Sequence, residues 1–590
     1  MRLTAVAFVA AGLFAVPAWA QPTSGTFDEL TLRKLEEALA CVNLSPADLG
    51  WDKRPISDAW RLRCVDETLD HPLMLSGRAE RAEREFAGDP AASARAAFPW
   101  LDCAPPAAEA PAAEASVELP GAPPEAAALL AVLIRARRDA EALRTRAFVA
   151  LNDAEWELLR QRGEKIYTDE SEEDWDMTPI LAAAGKIELR FLLAAGVVLA
   201  DAAARVLADA ARLDPAAWKS QSWNVEGVTV ALGGPGPDAH SAQVVLDGGG
   251  DDAYAASCTA VADLAGDDVY RGACAGLHAV ALLVDLAGND RYAGGDFVQG
   301  SAAYGASLLL DVAGDDRYEA NQCSQGSGFF GVGMLFDLAG QDMYRGARFV
   351  QAFGGIRGLG VLSDLTGDDV YYAGGKYRHA PLLPENYQSL SQGFGFGLRG
   401  ANASGGIGIL ADHAGNDVYA AEVFAQGASY WFSLGILVDS AGHDKYVLYQ
   451  YGQGSGIHLS SAILFDRAGN DAYSCNYGVA QGCGHDWAVG ILWDLAGDDY
   501  YQGSGMTQGG ANANGIGILV DRAGNDAYSG RTEVQGWSFE SRGTIGLGLM
   551  LDLGGTDHYT SGGKDDSIWT KSAVGVGLDW TERPAEEKKQ

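Results

Sequence analysis

From Asp247 onward, apolar and polar positions recur on a fixed beat: an apolar run, a short acidic turn, then a stretch that closes on Gln-Gly. One unit shows all three parts, with Gly515 to Val520 as the apolar run, Asp521-Arg522-Ala523-Gly524-Asn525-Asp526-Ala527-Tyr528 as the turn, and Gln535-Gly536 as the close. The leading Asp falls at Asp247, Asp263, Asp285, Asp311, Asp337, Asp364, Asp412, Asp439, Asp466, Asp494, Asp521 and Asp552, and from Asp285 its spacings are 26, 26, 27, 48, 27, 27, 28, 27 and 31. The period is therefore 27 residues with one large insertion. A unit this small cannot bury its own apolar face, whereas stacked copies can, each strand pairing in parallel with its image in the next coil. This predicts a mainly β protein, a right-handed parallel β-helix of about 12 coils over residues 240–580. Helical repeats of similar length are excluded, because Gly, Tyr and Val recur where a helix needs Ala, Leu and Lys.

Upstream the pattern is helical. Leu30, Leu32, Leu35 and Leu39 form a stripe within a helical region over 21–103, residues 104–126 are a linker rich in Pro and Ala, and a second helical region covers 127–220. Asp201 and Asp209 in its last apolar run argue for a packed helix and against a membrane span. These helices are expected to cap the open N-terminal end of the solenoid, where a strand edge is exposed. Residues 1–20 carry Arg2, an apolar stretch from Leu3 to Val16, and Pro17-Ala18-Trp19-Ala20, which reads as a secretory signal and places the protein in the periplasm or outside the cell. Residues 581–590 form a charged tail.

The formal net charge of -36, without clustered Lys and Arg, argues against nucleic acid and anionic membrane as partners. Eight cysteines suit an oxidising compartment. Cys41 with Cys64 and Cys258 with Cys274 are the pairs that spacing allows, buried free thiols being the alternative. Stacking turns each repeated residue into a ladder: tyrosines from Tyr254 to Tyr559 stack by their rings, and glutamines from Gln299 to Gln535 are expected to link side-chain amides from coil to coil. Two aspartates per coil put like charges about 5 Å apart along the stack. Such a row must be hydrogen-bonded to backbone in its own turn, partly protonated, or neutralised by cations.

The stretch Gly288-Asn289-Asp290-Arg291-Tyr292-Ala293-Gly294-Gly295 resembles the glycine- and aspartate-rich repeat of the RTX family, a parallel β-roll that binds Ca²⁺ between coils. The resemblance covers the turn of each unit. It implies Ca²⁺ as the cofactor, with Asp268, Asp290, Asp316, Asp342, Asp369, Asp417, Asp444, Asp471, Asp499, Asp526 and Asp557 as ligands. The 27-residue coil with one such turn is closer in size to the larger β-helices of polysaccharide-active proteins.

In a regular solenoid, a site is expected where the repeat breaks. The 48-residue unit between Asp364 and Asp412 carries Lys376, Tyr377, Arg378, His379 and Glu385, an unusual group of cations and aromatics in an acidic chain. On the following coils, Tyr430 and Trp431, then His458, then His485 and Asp486, then Asn512 should align into a strip flanked by Arg399 and Arg542. Rings and charged groups in a row suit a sugar chain. Any catalysis is expected from His458 or His485 as proton shuttle with Asp486 or Glu385 as partner. The chain has no Ser-His-Asp motif, phosphate-binding loop, His-Glu-x-x-His or dinucleotide fingerprint, so no nucleotide or organic cofactor is expected. Two readings follow: an exported, non-enzymatic binding or structural module for a glycan or envelope component, or a polysaccharide lyase or hydrolase with a groove beside the 364–412 outgrowth. Convergence of His458, His485, Asp486 and the outgrowth within hydrogen-bond reach in a concave pocket would point to the enzyme, and dispersed positions would leave the binding module.

Overall fold

The computed structural model describes residues 27–50, 58–107, 117–168 and 176–581. The signal reading for residues 1–20, the middle of the linker and the tail beyond 581 lie outside the described residues. Strands in parallel sheets form a β-solenoid of about eleven turns, with an N-terminal helical region. The chain divides into two compact units, one built on 84–369 and the other on 26–83 with 370–590.

In the first unit the apolar runs become strands Val280–Asp285, Ala306–Asp311, Gly331–Asp337 and Gly358–Asp364, buried at every position. Their pairing is parallel and residue for residue, Leu308 opposite Leu282 and Met334, and Asp311 opposite Asp337. Continuous burial requires cover on both faces of the sheet. One face lines the coil interior, and helices Pro124–Ala147 and Leu189–Ala210 lie on the other. Gly196 seats the second helix closely, since a Cβ there would stand 3.0 Å from Val332 Cγ1. That helix is long and apolar enough to cross a membrane, yet here it packs on strands, with Asp201 ion-paired to Arg95 at 2.7 Å.

The helices therefore flank the sheet and do not cap its end. The N-terminal edge is closed by an antiparallel hairpin, Gln221–Val225 with Val228–Leu232, whose second strand pairs in parallel with Val244–Leu246. The reason is a matter of area: a row of two-faced apolar strands needs cover along its length, while one short hairpin satisfies an edge.

The second unit repeats the arrangement. Strands Ile407–Asp412, Leu434–Asp439, Ser461–Asp466, Val489–Asp494, Ile516–Asp521 and Leu547–Asp552 pair in parallel and in register. Helix Glu29–Ala40 covers strands Leu547–Asp552 and Gly575–Asp579, while Phe27 meets Trp493 edge-on at 5.0 Å. Antiparallel Ile568–Lys571 closes the last strand, Gly575–Asp579. The insertion folds as a hairpin of Arg378–His379 against Leu383–Ser391, and the far end of that long strand pairs with Val423–Ala425.

No disulfide joins any of the eight cysteines. The expected pairs are instead engaged locally: Cys41 Sγ donates to the Glu37 carbonyl, Cys258 Sγ to the His240 carbonyl, and Cys274 Sγ to the Leu308 carbonyl.

Candidate functional site

Two constellations carry chemistry, a buried column that repeats in both units and a cluster on one face of the second. The column begins with the tyrosines, which stack ring on ring at 4.6–4.8 Å from Tyr254 to Tyr344 and at 4.8–4.9 Å from Tyr371 to Tyr559. Each hydroxyl donates to a leading Asp, Tyr318 to Asp337 Oδ2 at 2.7 Å and Tyr446 to Asp466 Oδ2 at 2.8 Å. The leading Asp also accepts the N–H two residues on in its own turn, as Asp311 does from Ala313 at 3.1 Å.

The turn Asp behaves differently from expectation. Its Oδ1 accepts the N–H of the equivalent Asp one coil back, Asp290 N–H to Asp316 Oδ1 at 2.5 Å and Asp316 N–H to Asp342 Oδ1 at 2.6 Å, so the bond crosses coils and does not close its own turn. The glutamines are also corrected: they do not bond one another, and Gln325 Nε2 donates to the carbonyls of Tyr318 and Arg345 at 3.0 and 3.2 Å. Backbone carbonyls left open after the short Tyr strand are the nearer acceptors. The repeated turn Gly lets coils approach, since a Cβ on Gly314 would lie 1.7 Å from the Gly288 carbonyl oxygen.

What remains is the second oxygen of each turn Asp. The Oδ2 atoms of Asp290, Asp316 and Asp342 are buried and find no hydrogen-bond donor. Around Asp290 one ligand atom each from Asp285, Asp290 and Asp311 lies within 4.8 Å of the others, and the same trio recurs from gap to gap. Burial, and after it the Asp285 carboxylate, pushes Asp290 up to about 10. Asp471 is likewise raised to about 10 and Asp466 to about 8, burial first and neighbouring carboxylates next. At the first rung His240 takes the tyrosine position, stacked on Tyr254 at 5.0 Å with Nε2 2.6 Å from Asp247 Oδ2. Burial works to lower its pKa, but the Asp247 carboxylate prevails and holds it up.

These donors suit a hard cation. Asp285, Asp290 and Asp311 offer three carboxylates, and the Tyr292 hydroxyl that bonds Asp311 adds another oxygen, the donor type Ca²⁺ accepts.

The second constellation lies on the 370–590 unit. Register aligns Phe396, Tyr430, Ile457, His485, Asn512 and Phe539 in one row. Ile457 and Asn512 are buried, whereas Phe396, Tyr430, His485 and Phe539 keep an open edge. His458 and Asp486 are shifted by one residue from this row into a turn with positive φ, 53° and 57°. That shift turns their side chains toward His485: Asp486 Oδ2 lies 2.8 Å from His458 Nδ1, 3.5 Å from His485 Nε2 and 2.8 Å from Arg542 Nη2. Burial alone would raise Asp486, but His458 against its Oδ2 and the nearby His485 and Arg542 hold its carboxyl below the usual range. Burial pushes His485 down to about 4 despite Asp486, leaving a neutral imidazole at neutral pH.

The outgrowth joins this group through rings. His379 meets Phe424 at 5.5 Å, Phe424 stacks on Tyr451 at 4.7 Å, and Tyr451 lies 6.2 Å from His485. Other expected members are elsewhere. Trp431 is buried with Arg399 over it at 5.9 Å, so it does not present its face on the strip. Lys376 sits over its neighbour Tyr377 at 5.2 Å, and Arg378 donates to the Pro384 carbonyl at 3.4 Å. Glu385 is exposed on the hairpin and, among the described residues, no hydrogen bond or ion pair joins it to Asp486 or either histidine. Phe396, Phe424, Tyr451 and Phe539 were missed; for Phe396 and Phe539 the signal was their place four residues after the repeat Gln, the position Tyr430 and His485 also hold.

In the first unit the equivalent turn positions His278, Tyr304 and Phe330 stack at 4.8 and 5.2 Å. They are covered by segment 153–168, with Trp156 edge-on to His278 at 5.6 Å and the Gly163 carbonyl accepting from the Tyr304 hydroxyl.

The fold defines the class: a β-solenoid protein with a flanking helical region. No family model, no curated protein and no solved structure matches the chain.

Proposed function

We propose that this chain is an exported, non-enzymatic β-solenoid that serves as a binding or structural module at the cell envelope, stiffened by Ca²⁺ in its carboxylate column. The carrying observation is the row of partly exposed Phe396, Tyr430, His485 and Phe539, in register, interrupted by buried Ile457 and Asn512, and backed by Tyr451 and Phe424. Rings on a rigid sheet present apolar faces to pyranose rings, and the exposed Arg542 beside them offers hydrogen bonds to hydroxyls or carboxylates. In the first unit the corresponding row is Leu277, Ala303 and Phe329, and Tyr167 of its own helical segment covers Phe329 edge-on at 4.9 Å. A glycan array of the purified protein, with and without Ca²⁺, tests the reading. Binding to a defined polysaccharide class, weakened about fivefold or more by Tyr430→Ala as one stacked ring is removed, supports it. Absence of any glycan ligand in both conditions contradicts it.

The meeting of His458 and His485 on Asp486 favours a second reading, a polysaccharide lyase or hydrolase with His458 or His485 moving the proton and Asp486 orienting it. Incubation with whichever polymer binds, followed by counting new chain ends, decides between the two. Chain cleavage that disappears in His485→Ala supports the enzyme; binding without cleavage leaves the module.

A further inference from the structure

We infer that His458, His485 and Asp486 form a binding site for a borderline divalent cation of the zinc class, separate from the aspartate column. One ring nitrogen of each histidine and a carboxylate oxygen of Asp486 lie within 4.8 Å of one another, close to the span that two bonds of about 2.0–2.2 Å from Zn²⁺ to nitrogen or oxygen cover. Two imidazoles and one carboxylate select borderline metals, where the all-oxygen column selects hard ones.

An independent observation points to a missing partner. Asp486 is 2% exposed, and neither of its oxygens is hydrogen-bonded: Oδ1 has no partner, and Oδ2 meets His458, His485 and Arg542 at 2.8, 3.5 and 2.8 Å in ion-pair contacts only. A buried carboxylate with neither oxygen hydrogen-bonded is poorly balanced by its protein neighbours alone. His485 points Nε2 at Asp486 and pairs in register with buried Asn512 on the next coil, while its other ring nitrogen has no hydrogen-bond partner. His458 and His485 are 14% and 19% exposed, so an ion has a way in and a coordination position can face solvent.

Arg542 is the element that needs explaining. Its guanidinium, 48% exposed on the turn of the hairpin Ser538–Ser541 with Thr544–Ile545, supplies positive charge to the same Oδ2 that an ion would use. It competes with a dication, and its exposed position lets it turn outward when the ion binds. This competition gives the site a signature that a mere ion-pair cluster lacks: removing the arginine strengthens metal binding.

The test uses the full chain after chelator treatment, titrated with Co²⁺ as a spectroscopic probe and with Zn²⁺ in competition. The expected result is one Co²⁺ with the strong visible bands of a low-coordinate nitrogen and oxygen site, displaced by Zn²⁺. His458→Ala and His485→Ala should each weaken it by more than about 100-fold, since changes outside the ligand set alone cost about 10- to 100-fold. Arg542→Gln should tighten it several-fold. Cobalt held by the aspartate column would give weak octahedral bands that ignore all three substitutions. Absence of the strong bands from both wild type and Arg542→Gln overturns the inference, as do strong bands that survive both histidine changes. Because no glycan is used, failure here is distinct from failure of the binding reading.

Discussion

Raising the pH from about 5 to about 8 in the presence of chelator is expected to lower the melting temperature by about 10 °C or more, and Ca²⁺ added at the higher pH is expected to restore it. The sign follows from the column. In the folded protein Asp290, Asp342 and Asp471 are pushed up to about 10, and Asp316, Asp466 and Asp494 to about 8. Unfolded aspartates lose their proton near the ordinary value of about 3.9. Between these limits the folded chain binds more protons than the unfolded one, so the column's contribution is fully present below about pH 4 and is lost as pH rises through about 8–10. Each proton held across one pH unit is worth about 1.4 kcal/mol, and several are held at once. The groups facing the column are other aspartates and the tyrosine hydroxyls, with His240 as the basic partner at the first rung. Ca²⁺ replaces protons with a stronger charge and should release them on binding. A melting temperature indifferent to pH over this window would remove the charge argument. A pH response without a Ca²⁺ response would remove the metal alone.

Gly314→Ala is expected to destabilise the first unit by about 3–5 kcal/mol, seen as a melting temperature about 10 °C lower. A methyl group there meets the Gly288 carbonyl oxygen at 1.7 Å, and backbone on backbone cannot relax by a rotamer change. The coils must part, and parting them stretches the Asp290 to Asp316 bond that crosses the same gap. Gly295→Ala is the control, because a Cβ there has open space. Equal melting temperatures for the two variants would mean that the turn tolerates separation and that this bond contributes little.

The solenoid was legible because its period is written in residue types that only stacking explains. Tyr292 beneath Tyr318 and Asp311 beneath Asp337 are sequence rows that became columns. The helices were misplaced because their apolar stripes show that they need a partner and do not show which. Only the unbroken apolar character of runs such as Val280–Asp285, with no polar alternation, hinted that the outer face needed cover. The glutamines and turn aspartates were assigned the right burial and the wrong partners, since spacing fixes which residues are level but not which backbone groups stay open. At the site, the rows aligned His485 with Asn512 correctly. The left-handed backbone at His458 and Asp486 was invisible, because neither is a glycine that would have announced it. That single-residue offset is what brings His458 onto Asp486.

The account stands on each gap between coils requiring one positive charge among its three carboxylates. Infrared spectroscopy of the chelator-treated protein at neutral pH reads this directly, through the stretch of protonated carboxyl groups. The expected spectrum shows that band at about one group per coil, shifted by replacing water with deuterium oxide and abolished by Ca²⁺. A spectrum with every carboxyl ionised in chelator, from a protein that remains folded, would contradict it.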